Sequence, residues 1–158
     1  MLSTPEILPA GTSAHVASQC LCLQSQRAAR ALARLFDAAF RPLGLTSGQY
    51  SLMMALHRPQ PPSIGELAPF LATDRTSLTA ALKPLTRRGL VRVTAAASDR
   101  RNRLLCLTPD GERLLAAALP IWRDTHARLD AAMPAAAPER LRADLPSLPP
   151  ACRSVGSG

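Results

Sequence analysis

The sequence predicts a mainly α-helical chain interrupted by one two-stranded β-hairpin. Three observations predict it. Apolar residues recur at three- and four-residue spacing along most of the 158 residues. Helix-start signals recur, with capping boxes at Thr46-x-x-Gln49 and Ser63-x-x-Glu66, an Asp74 cap, and Pro109 suited to a first helical turn. Two short apolar runs, residues 90–94 and 104–107, read as strands flanking a polar loop.

The elements follow in order. Residues 1–13 hold Pro5, Pro9 and Gly11 among small polar residues and read as a flexible arm. Residues 14–41 read as one helix with an apolar stripe at Leu21, Ala28, Leu32, Leu35, Phe36, Ala39 and Phe40, ended by Pro42 and Gly44. The Thr46 box opens a helix through Tyr50, Leu52, Met53 and Leu56 that stops before Pro59. Gln60-Pro61-Pro62 reads as a stiff linker. The Ser63 box opens a short helix with Ile64, Leu67 and Leu71 on its apolar side. Asp74 caps a helix over residues 75–88 that buries Leu78, Leu82 and Leu85, with Gly89 just beyond its end. After the hairpin, Pro109 begins a long helix carrying Leu114, Leu115, Leu119, Trp122, His126, Leu129 and Met133. Pro134 and Pro138 bracket a break, and Leu141, Leu145 and Leu148 suggest a last short helix before a Gly/Ser end.

Charge is placed unevenly. Residues 1–72 carry +2 and residues 104–158 are neutral, whereas residues 73–103 carry +6 of the total +8. A solvated surface would spread its charge, so this concentration points to an anionic partner. Aromatic residues are only 3% of the chain, which argues against recognition by base stacking and hence against single strands. No apolar stretch long enough to span a membrane and no leader pattern are present, so the expected location is the cytoplasm, with thiols reduced. No phosphate loop, nucleophile elbow or zinc motif occurs, so neither an enzyme, a cofactor nor a metal is expected.

A short helix, a tight turn at Ala72-Thr73 and a helix with a polar, basic face form a helix-turn-helix. The hairpin that follows, with its arginine-rich loop, is then a wing. The second helix of such a pair suits the major groove, and a basic loop can reach phosphates or the minor groove. The fold class is therefore a winged helix-turn-helix with a two-stranded β wing and long terminal helices. Those terminal helices have apolar stripes that need burial, which predicts a homodimer. The expected organisation is an arm (1–13), a dimerisation helix (14–45), a DNA-binding region (46–108), C-terminal dimerisation helices (109–150) and a flexible tail (151–158).

The chain resembles the MarR family, winged-helix regulators named for multiple antibiotic resistance. The resemblance rests on Arg41-Pro-Leu-Gly-Leu-Thr46, Ser63-Ile-Gly-Glu-Leu-Ala68, Thr76-Ser-Leu-Thr79, Leu85-x-x-x-Gly89-Leu-Val91, Ser98-Asp-Arg-Arg101 and Leu107-Thr-Pro-Asp-Gly111. It implies a homodimer on a palindromic double-stranded DNA operator, usually a repressor released by a small molecule or by thiol oxidation. By position it implies recognition-helix contacts from Thr76, Ser77, Thr79 and Lys83, flanked by Arg75, and wing contacts from Arg100, Arg101 and Arg103. Asp99 and Arg101 resemble the wing's acid–base pair, whose role is to brace the loop or to touch DNA. Ala80 stands where many members carry a basic or amide residue.

Two switches are compatible with these residues. A small aromatic or hydrophobic effector would sit among Phe36, Phe40, Tyr50, Met53, Met54 and His57, each of which also reads as core. Alternatively, the stretch from Leu21 to Arg30 resembles the organic-hydroperoxide-sensing branch, and Cys22 aligns with its reactive cysteine. Phe36 and Ser47 stand where that branch has tyrosines. On a continuous helix Cys20 and Cys22 project about 200° apart and would not pair.

Overall fold

A computed structural model describes residues 8–95 and 103–156. The helices are α1 (Thr12–Gln19), α2 (Leu21–Phe40), α3 (Ser47–Leu56), α4 (Ile64–Phe70), α5 (Arg75–Arg87), α6 (Pro109–Ala131), α7 (Ala137–Asp144) and α8 (Leu148–Gly156). Strands β1 (Val91–Ala95) and β2 (Arg103–Leu107) lie between α5 and α6, and 3₁₀ turns cover Arg41–Leu43 and Leu145–Ser147. The expected fold class is the observed one. The chain divides into two compact units whose boundary falls inside α2, between Leu35 and Phe36.

In the first unit the single helix expected over residues 14–41 is two helices. Cys20 leaves the helical region at φ −76° and ψ 103°, ending α1. Its sulfur then accepts the backbone N–H of Leu23 at 3.4 Å, taking up a first-turn donor of α2 that has no partner within the helix. Periodicity did not reveal this break because the apolar stripe begins at Leu21, just beyond it. Leu21, Leu32 and Leu35 of the predicted stripe are exposed, as is Val16 of α1.

In the second unit both predicted capping boxes are complete. Thr46 Oγ1 accepts from Gln49 N while Gln49 Oε1 accepts from Thr46 N. Ser63 and Glu66 make the equivalent exchange. Phe40, Met53, Leu67, Leu78, Leu85, Val91 and Leu105 form the fully buried centre, so α2, α3, α4, α5 and the hairpin contribute to one core. The Phe40 ring stacks on Tyr50 at 4.7 Å between centroids.

The hairpin is antiparallel, with Val91 opposite Leu107, Val93 opposite Leu105 and Ala95 opposite Arg103. The segment read as a stiff linker also supports it. Pro62 O accepts Leu105 N at 2.9 Å, and Ser63 forms a bridge with Leu104. This contact joins the start of α4 to the wing, so helix-turn-helix and hairpin share backbone hydrogen bonds.

At the other end of the hairpin, Thr108 Oγ1 donates to Gly89 O at 2.6 Å and accepts from Gly111 N at 3.1 Å. It therefore caps α6 and ties it to the end of α5. Arg88 donates to Gly44 O at 2.6 Å, holding the same end of α5 against the turn that precedes α3. The helix α8 runs through Gly156, well into the stretch read as a flexible tail. Pro149 and Pro150 lie in its first turn, where the missing N–H groups would lack helical partners in any case.

Candidate nucleic-acid interface

The helix α5 displays two faces for a simple reason of repeat. Leu78, Leu82 and Leu85 recur at four and three residues and are buried. The opposite face of a 3.6-residue helix then carries Thr76, Ala80, Lys83 and Arg87, all exposed. Thr79 is exposed on the flank. Arg87 was not among the sequence candidates, although its position four residues after Lys83 was the available signal.

The hydroxyls of this helix are not equivalent. Asp74 caps it, its Oδ1 accepting Ser77 N at 2.8 Å and its Oδ2 accepting Ser77 Oγ at 2.6 Å. These hydrogen bonds, that from the Ser77 side chain first, hold the Asp74 carboxyl below its ordinary range. Thr79 Oγ1 donates to Arg75 O at 2.7 Å. The Ser77 and Thr79 hydroxyl hydrogens are thus spent within the helix. The Arg75 guanidinium folds back towards Gly65 of α4, where a Cβ would come within 3.2 Å of it.

Thr79, Lys83 and Arg87 of α5 share a groove of about 580 Å³ with Ile64, Val93 and Arg103 of the hairpin's β2. The structure therefore brings together Thr79, Lys83 and Arg103, which lie up to 24 positions apart in sequence. Arg92 on β1 is also exposed. Among the described residues, arginine–carboxylate contacts are Arg113–Asp110, Arg128–Asp124 and Arg142–Asp130, and His57 Nδ1 lies 3.1 Å from the Glu112 carboxylate. None of them engages Arg75, Lys83, Arg87, Arg92 or Arg103. Arg100 and Arg101, with Asp99, lie outside the described residues.

Of the six residues proposed for an effector site, Phe36, Phe40, Tyr50 and Met53 share one core, and only Tyr50 and Met54 border a pocket. Phe36, Phe40 and Met53 are buried in the core. His57 is exposed and meets Glu112 at 3.1 Å. Tyr50 and Met54 do line a pocket, of about 400 Å³, but with Ser51, Ala55, Phe70, Leu71, Leu119 and Trp122. Of these, Ser51 and Ala55 lie on α3 itself, whereas Phe70 and Leu71 at the end of α4 and Leu119 and Trp122 on α6 come beside α3 only through tertiary folding. Burial raises the Tyr50 phenol pKa, with Arg123 opposing the shift. The wall is therefore apolar and aromatic, with a neutral phenol.

Cys22 is exposed on α2, and its sulfur lies 3.2 Å from Gln26 Nε2, which donates to it. Cys20 is half-buried at the break before α2. The two thiols do not share the continuous helix on which their 200° separation was reckoned. Cys106 is half-buried and Cys152 exposed. Among the described residues, no group of three His, Cys, Asp or Glu is placed to hold a metal, and no helix is long and apolar enough to cross a membrane.

Residues 45–102 match the model of the MarR family. The transcriptional regulator HosA of Escherichia coli O157:H7 is 42% identical over 79 residues, 49% of this chain and 57% of HosA, so the chain spans little more than half the length of that relative. The M. tuberculosis transcriptional regulator MosR, in a crystal structure with DNA, superposes with a TM-score of 0.78 at 36% identity, over 87% of this chain and 98% of MosR. CouR from Rhodococcus jostii RHA1, bound to p-coumaroyl-CoA, superposes with a TM-score of 0.70 at 25% identity, over 83% of this chain and 92% of CouR. With a winged helix-turn-helix in place, a matching family model over its centre and a 36%-identical relative covered almost end to end, the chain belongs to the MarR family of transcriptional regulators.

Proposed function

We propose that the protein is a homodimeric, sequence-specific regulator of transcription that binds double-stranded DNA in the cytoplasm and represses from a palindromic operator. The observation that carries this reading is the α5 surface. Its outward cations lack acidic partners among the described residues and share a groove with the hairpin. In this reading α5 enters the major groove, while Arg103, with Arg100 and Arg101, acts from the wing. The resemblance to MosR, crystallised with DNA, supports it.

The exposed apolar residues Val16, Leu21, Leu32 and Leu35 on α1 and α2, and Leu141, Leu145 and Val155 near the C-terminus, support a dimer through residues 14–45 and 109–150. A two-fold pair would present two α5 helices about one DNA turn, ~34 Å, apart. Residues 46–108 serve as the DNA reader.

The pocket beside Tyr50 and Trp122 is the proposed effector site. Its apolar, aromatic wall suits a small aromatic or hydrophobic molecule, whose binding releases the operator. CouR, bound to p-coumaroyl-CoA, is a relative crystallised with a ligand bearing an aromatic group. A second reading is favoured by the exposure of Cys22. A hydroperoxide would oxidise its thiolate to a sulfenate and leave as the alcohol, placing a larger polar group on α2.

A gel shift with the promoter region flanking the protein's own gene tests the main reading. Retardation of that duplex over an unrelated one is expected, with release by an apolar aromatic acid. Light scattering at micromolar concentration should give about twice the 16.8 kDa chain mass. Equal binding to both duplexes, or a monomer, overturns the operator reading. Release by hydroperoxide in the native protein but not in Cys22→Ser would select the redox reading.

A further inference from the structure

In the middle of α5 the hydrogen-bonding groups that could meet a base are already engaged or are lacking. The Ser77 hydroxyl hydrogen goes to the Asp74 carboxylate at 2.6 Å, and that of Thr79 goes to Arg75 O at 2.7 Å. Arg75 turns back towards Gly65. At the next position stands Ala80, exposed and without a polar atom in its side chain. A threonine whose Oγ1 bonds to the carbonyl four residues earlier turns that oxygen in against the helix backbone and leaves its Cγ2 methyl as the outer branch.

We propose that Thr79 and Ala80 read thymine through its C5-methyl group, the Thr79 Cγ2 and Ala80 Cβ together forming a small apolar contact patch on the recognition helix. The inference rests on the DNA-binding reading above and adds to it a specificity-determining contact. Thymine alone among the four bases carries a methyl group in the major groove, and apolar side-chain atoms recognise it without any hydrogen bond. Exposed methyls surrounded by the cations Lys83 and Arg87 suit this task. The cations bind the phosphate backbone and set register, while the methyls discriminate bases. The position after Thr79, which lacks the basic or amide group common among relatives, then contributes an apolar contact of its own.

The test starts from a duplex selected by the full-length protein from a random-sequence library. Each thymine in the selected half-site is replaced singly by deoxyuridine, which removes the C5-methyl and leaves the pairing edge intact. At one or two positions per half-site the replacement should weaken binding about fourfold, the weight of one CH₂-sized apolar contact. Thr79→Val, which keeps the methyl and loses the hydroxyl, should keep the native preference for the thymine duplex over the uracil duplex, whatever its overall affinity. Thr79→Ser, which keeps the hydroxyl and loses the methyl in both half-sites, should bind the thymine duplex about fourfold more weakly per half-site and no longer distinguish it from the uracil duplex at one of those positions. Indifference of the native protein to every replacement overturns the inference while leaving DNA binding intact. So does a Thr79→Ser variant that discriminates as well as the native protein, or a Thr79→Val variant that no longer prefers thymine. Failure to enrich any duplex overturns the DNA-binding reading, and this inference with it.

Discussion

Gly111 packs its Cα face directly onto the backbone carbonyl of Leu90, so closely that any Cβ would overlap the oxygen. The same Leu90 oxygen accepts the N–H of Thr108 at 3.0 Å. The first turn of α6 is thereby seated on the junction between α5 and β1, and the Leu107-Thr-Pro-Asp-Gly111 run acquires a mechanical meaning. Thr108 caps the helix, Pro109 and Asp110 fill positions that suit a first turn, and Gly111 permits the close approach.

Gly111→Ala is accordingly expected to destabilise the protein by about 1–3 kcal/mol, the range for forcing extra volume into a packed contact that must shift to admit it. Thr108→Ala should cost about 1 kcal/mol through the lost cap. Thermal or urea unfolding followed by circular dichroism checks both. A Gly111→Ala midpoint equal to that of the native protein would mean that α6 does not press on Leu90 in solution.

The Asp74 and Glu66 caps make the helix-turn-helix sensitive to acid. Hydrogen bonds from Ser77 hold the Asp74 carboxyl below its usual 3.8, and those from Ser63 hold Glu66 below its usual 4.5. A group whose pKa is depressed by folding stabilises the native state above its unfolded pKa, and loses that contribution as pH falls through the lower folded value. Stability carried by these caps should therefore be complete near neutrality and decline below about pH 4. Asp74→Asn retains a capping oxygen but cannot titrate, so its unfolding midpoint should fall less steeply over that window than the native one. Parallel acid titrations of the two proteins provide the comparison.

On DNA, Lys83→Ala, Arg87→Ala and Arg103→Ala should each weaken operator binding, because all three cations border one groove. Arg101→Ala should do the same through the wing. Where the lost contact is to a phosphate, the salt dependence of log K should fall by about one unit per half-site. Binding measured from low to moderate salt separates this from a loss of folding. Four variants with native affinity and native slope would show that the positive surface meets no phosphate.

Trp122 is the chain's single tryptophan and it borders the pocket beside Tyr50. A small aromatic or hydrophobic effector should therefore change the intrinsic fluorescence on binding, saturably and at one site per chain. Met54→Ala should weaken that binding, whereas His57→Ala, at an exposed contact with Glu112 away from the lining, should not. A titration in which His57→Ala abolishes the signal and Met54→Ala leaves it unchanged would relocate the effector site.

The sequence by itself determined what depends on short-range physics. The caps at Thr46, Ser63 and Asp74 bond to groups three residues away, so their motifs are complete within one helical turn. The Leu78–Leu82–Leu85 stripe follows from the helical repeat, and the hairpin from two short apolar runs. The concentration of charge in residues 73–103 is likewise visible without a fold. Tertiary structure decided what depends on which surfaces meet. It made Tyr50 and Met54 the wall of a pocket that Phe36, Phe40 and Met53 do not reach, since residues on α3 and the end of α2 become core or pocket wall only when α4 and α6 pack beside them. It broke the first helix at Cys20, just before the apolar stripe begins, where the Cys20 sulfur takes up a first-turn backbone donor of α2. It also turned the Thr79 hydroxyl onto Arg75 O, a choice between side-chain rotamers that residue identity leaves open and local packing and hydrogen bonding resolve.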